Sequence, residues 1–144
     1  MKTENMQIAD AVSYAYGIIE ELASECREVV DNASGTSREN TQRIQTLDET
    51  ASTLENQQEP EVIDTERRVT FQVHPDKRRG LSRQKRLDNA ISAIEAILAD
   101  IDVRREQIGD TDLEDERDAL DSLRDELDNT LGEIQGVEFP GMYG

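Results

Sequence analysis

Two rows of aliphatic residues at seven-residue spacing constrain this chain more than anything else in it. Leu87, Ile94, Ile101 and Ile108 form one row, and Leu113, Leu120, Leu127 and Ile134 form the other. Seven residues is close to two helical turns, so each row is an apolar seam along one helix. Between them, Gly109-Asp110-Thr111-Asp112 reads as a stop followed by a start. Gly109 can take the left-handed conformation that ends a helix, and Thr111 with Glu114 forms a capping box. Folding the chain back there sets Ile108 opposite Leu113, Ile101 opposite Leu120, Ile94 opposite Leu127 and Leu87 opposite Ile134, all in one register. The spacing predicts an antiparallel αα-hairpin over residues 81–136.

A second hairpin is expected over residues 1–58. Its first helix runs from about Thr3 to Ala33, with Ile8, Ala15, Leu22 and Val29 in one row and Val12, Ile19 and Cys26 beside it. Gly17 is a candidate for close helix approach. Ser34-Gly35-Thr36 breaks the pattern, and Thr36 with Glu39 again reads as a capping box. The second helix, from Ser37 to about Gln57, carries Ile44, Leu47, Ala51 and Leu54. One register pairs Val29 with Ile44, Cys26 with Leu47, Leu22 with Ala51 and Ile19 with Leu54.

Between the hairpins, residues 59–80 form an extended strap. Val69, Phe71 and Val73 alternate with Thr70 and Gln72, the period of a strand. A lone strand leaves its backbone groups unpaired, so it must pair with Val62-Ile63, pair with another chain, or lie over the helices. Proline after His74 ends it. Residues 137–144 make a short tail in which Phe139, Met142 and Tyr143 place apolar bulk among Gly and Pro. Docking onto the chain's own helices and anchoring in a partner's groove are both open to it.

Charge is the second strong signal. The chain carries 33 acidic against 16 basic residues, a net charge of −17. Between Arg67 and Arg86 the balance inverts, with Arg67, Arg68, Lys77, Arg78, Arg79, Arg83, Lys85 and Arg86 against the single acid Asp76. Opposite blocks of this size should meet, within a molecule or between molecules. The last helix shows the opposite face, with Glu114, Asp115, Asp118, Asp121, Asp125 and Asp128 at its surface. Such an acidic balance disfavours nucleic acid and anionic membranes as ligands of the whole surface, leaving residues 67–86 as the one route to nucleic acid. It suits a halophilic, high-salt cytoplasm, or a rod of carboxylates imitating a run of phosphates.

Catalytic and metal-binding signatures are lacking. The sequence holds one histidine and one cysteine, with no HExxH, CxxC, GxGxxG, GxxxxGK or GxSxG pattern. His74 reads as a loop histidine and Cys26 as a small buried thiol. Asp110-Thr111-Asp112-Leu113-Glu114 fails as a calcium loop, because Asp115 stands where Gly is needed and Asp121 where Glu is needed. One cysteine allows no internal disulfide, there is no signal-peptide pattern at Met1-Lys2-Thr3, and no apolar run has membrane-spanning length. A cytoplasmic or virion location follows as the expectation, with no cofactor and no membrane partner.

Two stretches resemble uncharacterised small helical proteins of tailed phages and archaeal viruses. One is Asp31-Asn32-Ala33-Ser34-Gly35-Thr36 with Glu39-Asn40-Thr41 and the helix from Leu47 to Leu54; the other is Glu138-Phe139-Pro140-Gly141-Met142. The resemblance implies a viral or mobile-element origin and brings no catalytic residues. The expectation is therefore an all-α protein of two antiparallel helical hairpins, four long helices, joined by an extended basic segment with at most one or two short strands. Its expected role is a non-enzymatic structural or adaptor protein working through protein–protein contacts, with homo-oligomerisation through the basic strap, the acidic face and the tail. The alternative is an acidic nucleic-acid mimic that inhibits a host defence or DNA-binding protein.

Overall fold

The computed structural model describes residues 1–37, 40–62, 67–76, 80–108 and 114–140. Over these described residues the fold is largely α-helical, with four helices and a small two-stranded antiparallel sheet. The order is β1 (Lys2–Gln7), α1 (Ile8–Ala33), α2 (Gln42–Glu55), β2 (Arg68–Val73), α3 (Arg83–Ile108) and α4 (Glu114–Ile134).

The first correction lies at the start of the chain. Lys2–Gln7 was expected to include the opening turns of the first helix, yet it is a strand paired antiparallel with β2, from Lys2 opposite Val73 to Gln7 opposite Arg68. Met6 is the only apolar residue in that stretch, so no helical stripe extends before Ile8. Val69, Phe71 and Val73 meanwhile bury one face of β2, and its backbone requires a partner. That partner is β1, which was not among the three alternatives expected for the strand. Lys2 and Glu4 sit on the inner side at the sheet's end and pair with each other at 3.0 Å.

Helix α1 buries Ile8, Val12, Ala15, Ile19, Leu22 and Cys26 at spacings of three and four. Gly35, at φ +78°, ends it through the left-handed region. Thr36 turns its hydroxyl back to the carbonyl of Ala33 at 2.5 Å, so it closes α1 instead of opening α2. The second helix begins later than expected, at Gln42, where Thr41 accepts a hydrogen bond from the Ile44 N–H. Glu39, the expected capping partner, lies outside the described residues, as do Gly109, Thr111 and Leu113. Gly17 faces open space, so it serves no close helix approach.

Helix α3 is apolar over a wide arc, burying Leu87, Ala90, Ala93, Ile94, Ile97 and Ile101. It needs that arc because α1, β2 and α4 all pack on it. Ser82 starts the helix by accepting from the Lys85 N–H at 3.2 Å. Helix α1 packs on both α2 and α3, and the buried side chains of all four helices and β2 form one continuous core.

Candidate functional site

The basic block, expected as partner-binding and to be met by acids within a molecule or between molecules, is largely occupied within the chain over its described residues. Arg67 closes a two-pronged contact on Asp100 of α3, with Nε at 3.1 Å and Nη2 at 2.7 Å from its two carboxylate oxygens. Arg83 and Arg86, in the first turn of α3, face α1. Arg86 reaches Glu21 at 3.0 Å and grips Glu25, while Arg83 approaches Glu25 at 3.3 Å. The hydrogen bond from Arg86 holds the Glu25 carboxyl below its ordinary range, against partial burial, which pushes the other way. Arg68 bonds to Asn5 across the sheet. Lys85 is half-buried, and Lys77, Arg78 and Arg79 lie outside the described residues. A local charge tally allowed such pairing but could not name the acids, because Asp100, Glu21 and Glu25 sit on elements far away in sequence.

The acidic face is largely open. Glu114, Asp115, Asp118, Asp125 and Asp128 are exposed along α4, a rod of 21 residues about 30 Å long at 1.5 Å per residue. Asp121 differs from them: it is half-buried and bonds to Arg105 of α3 at 2.7 Å. Arg124 of α4 bonds to Asp102 of α3 at 2.7 Å, which lowers the Asp102 carboxyl below its ordinary range. Arg104 pairs with Glu116. Beside this seam lies a cleft of about 700 Å³ floored by Ile8, Val62, Ile101, Leu120 and Leu123, with Arg104 and Glu116 at its edge.

Of the two readings open for the tail, docking onto the chain's own helices holds for Phe139. Phe139, expected among the partner-binding residues, is 7 % exposed and belongs to the chain's own core. The turn at Gly136, whose N–H donates to the Glu133 carbonyl at 3.3 Å, sends the chain back towards α2. There Thr50 donates its hydroxyl to the Glu138 carbonyl at 2.7 Å. An aromatic ring held this way gains more from its own core than from solvent. Met142 and Tyr143 lie outside the described residues.

Three buried polar residues do work that was not anticipated: Thr50, Asn89 and Thr130. Thr130 bonds the Tyr16 hydroxyl at 2.7 Å and so joins α4 to α1. Asn89 accepts from the His74 N–H at 2.6 Å and donates to the His74 carbonyl at 3.3 Å. A usable signal existed for two of them. Thr50 falls between Leu47 and Leu54, and Thr130 between Leu127 and Ile134, at positions where the helical stripe calls for an apolar side chain.

His74 stands 3.6 Å from Asp88 and 28 % exposed. Cys26 is buried, and its thiol is pushed above its ordinary range by that burial. Among the described residues no group of three or more His, Cys, Asp or Glu side chains could hold a metal ion. No described helix is long and apolar enough to cross a membrane. Compared with protein-family models, curated proteins and solved structures, the chain matches none.

Proposed function

We propose that this chain is a non-enzymatic structural or adaptor protein that works through protein–protein contacts, as a virion or mobile-element component that assembles with copies of itself. Its frame is read as two antiparallel helical hairpins, α1 with α2 and α3 with α4. For the second pair that reading draws on the ion pairs Arg124–Asp102 and Arg105–Asp121, whose numbers rise on one helix as they fall on the other. For the first it draws on the short connection from Ala33 to Gln42, which turns packed neighbours antiparallel, and on Arg27 of α1, which bridges to Asp48 at 2.6 Å and Glu55 at 2.8 Å on α2.

The observation that carries the functional reading is the division of charge. Arg67, Arg83 and Arg86 are engaged with Asp100, Glu21 and Glu25, while Glu114, Asp115, Asp118, Asp125 and Asp128 face solvent. The surface on offer is therefore an anionic rod, and it favours a cationic partner segment. Within the chain itself, Lys77-Arg78-Arg79 is the basic run that fits the rod of a second copy.

Reversing Lys77, Arg78 and Arg79 to Glu should lower the assembled mass in light scattering, most at low salt, where screening is weakest. An unchanged mass across salt concentrations would remove the self-assembly reading. The same exposed carboxylates favour a second reading, an acidic mimic that occupies the nucleic-acid cleft of a host defence or DNA-binding protein. In that case the triple reversal leaves the mass unchanged, while a pull-down from host lysate recovers a nuclease or restriction subunit and Asp118→Lys with Asp125→Lys abolishes its capture.

A further inference from the structure

A two-stranded sheet has two free edges, and each edge is a template for another strand unless something blocks it. The register fixes which groups face outward here. The Ile8 N–H donates to the Arg67 carbonyl at 3.2 Å, which continues the ladder one step beyond Gln7 opposite Arg68. Alternate residues of an antiparallel pair exchange these bonds. Lys2, Glu4 and Met6 therefore turn their backbone groups towards β2, and Thr3, Asn5 and Gln7 turn theirs away. Among the described residues no segment pairs with that outer edge.

Two side chains stand at these edges. Asn89 takes both backbone groups of His74, at the point where β2 would continue. On the other side, Arg68 reaches across the sheet to the Asn5 side chain and donates from Nη2 to the Asn5 main-chain carbonyl at 3.0 Å. That carbonyl is the central acceptor of the outer edge of β1.

We propose that Arg68 is a guard on the free edge of β1, and that this edge, when Arg68 releases Asn5, takes β1 of a second copy. The strand is complementary to itself. In an antiparallel pair centred on Asn5, Thr3 of each copy lies opposite Gln7 of the other and Glu4 opposite Met6, so no like charges meet. Centred on Thr3, the same pair sets Lys2 opposite Glu4. Both registers use the Asn5 carbonyl, the atom Arg68 holds. The surface is distinct from the acidic face of α4 and does not depend on it.

The test is light scattering of the full chain over a range of concentrations. Arg68→Ala should shift the mass towards twice that of the unchanged chain, increasingly so as concentration rises. Thr3→Pro added to Arg68→Ala should return it, because proline removes an outward N–H and leaves the β1–β2 ladder intact. Partial unfolding of Arg68→Ala could also raise the mass, but a proline in β1 would not reverse it. The Glu reversal of Lys77, Arg78 and Arg79 should leave the response to Arg68→Ala in place, which separates this contact from the strap. An Arg68→Ala chain with the mass of the unchanged one at every concentration overturns the proposal, and so does a double variant as heavy as Arg68→Ala.

Discussion

The side-chain amide of Asn89 holds both main-chain groups of His74, accepting from its N–H at 2.6 Å and donating to its carbonyl at 3.3 Å. Asn89 is 5 % exposed, so α3 presents a buried amide that imitates a strand and fixes the end of β2. Asn89→Ala should cost about 2 kcal/mol, since two hydrogen bonds go and a backbone donor is left unpaired. Asn89→Asp keeps the acceptor for the His74 N–H but sets a buried, charged carboxylate oxygen against the His74 carbonyl, so it should cost at least as much as Asn89→Ala. Urea midpoints measure both, and an Ala variant within about 0.5 kcal/mol of the unchanged chain would deny the clamp a role in stability.

Tyr16 and Thr130 tie α1 to α4 through one hydroxyl pair. Tyr16→Phe and Thr130→Val should each cost about 1 kcal/mol, because each strands the other hydroxyl in the core. The double variant should cost less than the two singles together, with a coupling of about 0.5–1 kcal/mol in a double-mutant cycle. Additive losses would mean that the two groups do not depend on each other. Burial also raises the Tyr16 hydroxyl above its ordinary 10.0. The folded state therefore holds that proton more tightly, and stability should fall as pH rises past that value. Tyr16→Phe should flatten part of the alkaline slope.

Glu25 gives the corresponding effect in acid. Its carboxyl lies below the ordinary 4.5 because Arg86, and then Arg83, favour its charged form. The unfolded chain binds that proton more readily, so the contribution is complete above pH 4.5 and is lost as pH falls through the folded value. Glu25→Gln should cost about 1 kcal/mol near neutrality, the scale of a half-exposed ion pair. It should also narrow the gap between the two chains' denaturant midpoints as the solution is acidified. A gap that stays constant down to about pH 3 would mean that Glu25 has no depressed titration.

Phe139 separates a core residue from a docking anchor. Phe139→Ala should lower stability by about 3 kcal/mol, as other buried aromatic truncations do. Thr50→Val should cost about 1 kcal/mol by freeing the Glu138 carbonyl. A Phe139→Ala chain with an unchanged melting temperature would deny this residue a part in the core and favour its reading as an anchor in a partner's groove.

Much of the frame was legible because a helix or strand writes its own period into the sequence. Ile8, Leu22, Leu47, Leu54, Ile94, Ile101, Leu127 and Ile134 were all expected on inner faces, and all are buried. The alternation of Val69, Phe71 and Val73 announced β2 for the same reason. Its partner did not announce itself: Lys2-Thr3-Glu4-Asn5-Met6-Gln7 has one apolar residue and no alternation, and it is a strand only because β2 lies beside it.

The same division runs through the candidate surfaces. The sequence by itself determined where apolar faces recur and where basic and acidic residues cluster, because both are properties of neighbouring positions. Only the tertiary structure decided that Arg67 would meet Asp100, that Arg86 would meet Glu25, and that Phe139 would turn inward beside the contact from Thr50. Those outcomes depend on which distant segments come within a few ångströms of one another. No local pattern of residues carries that information, whereas the shared core fixes it as soon as the helices pack.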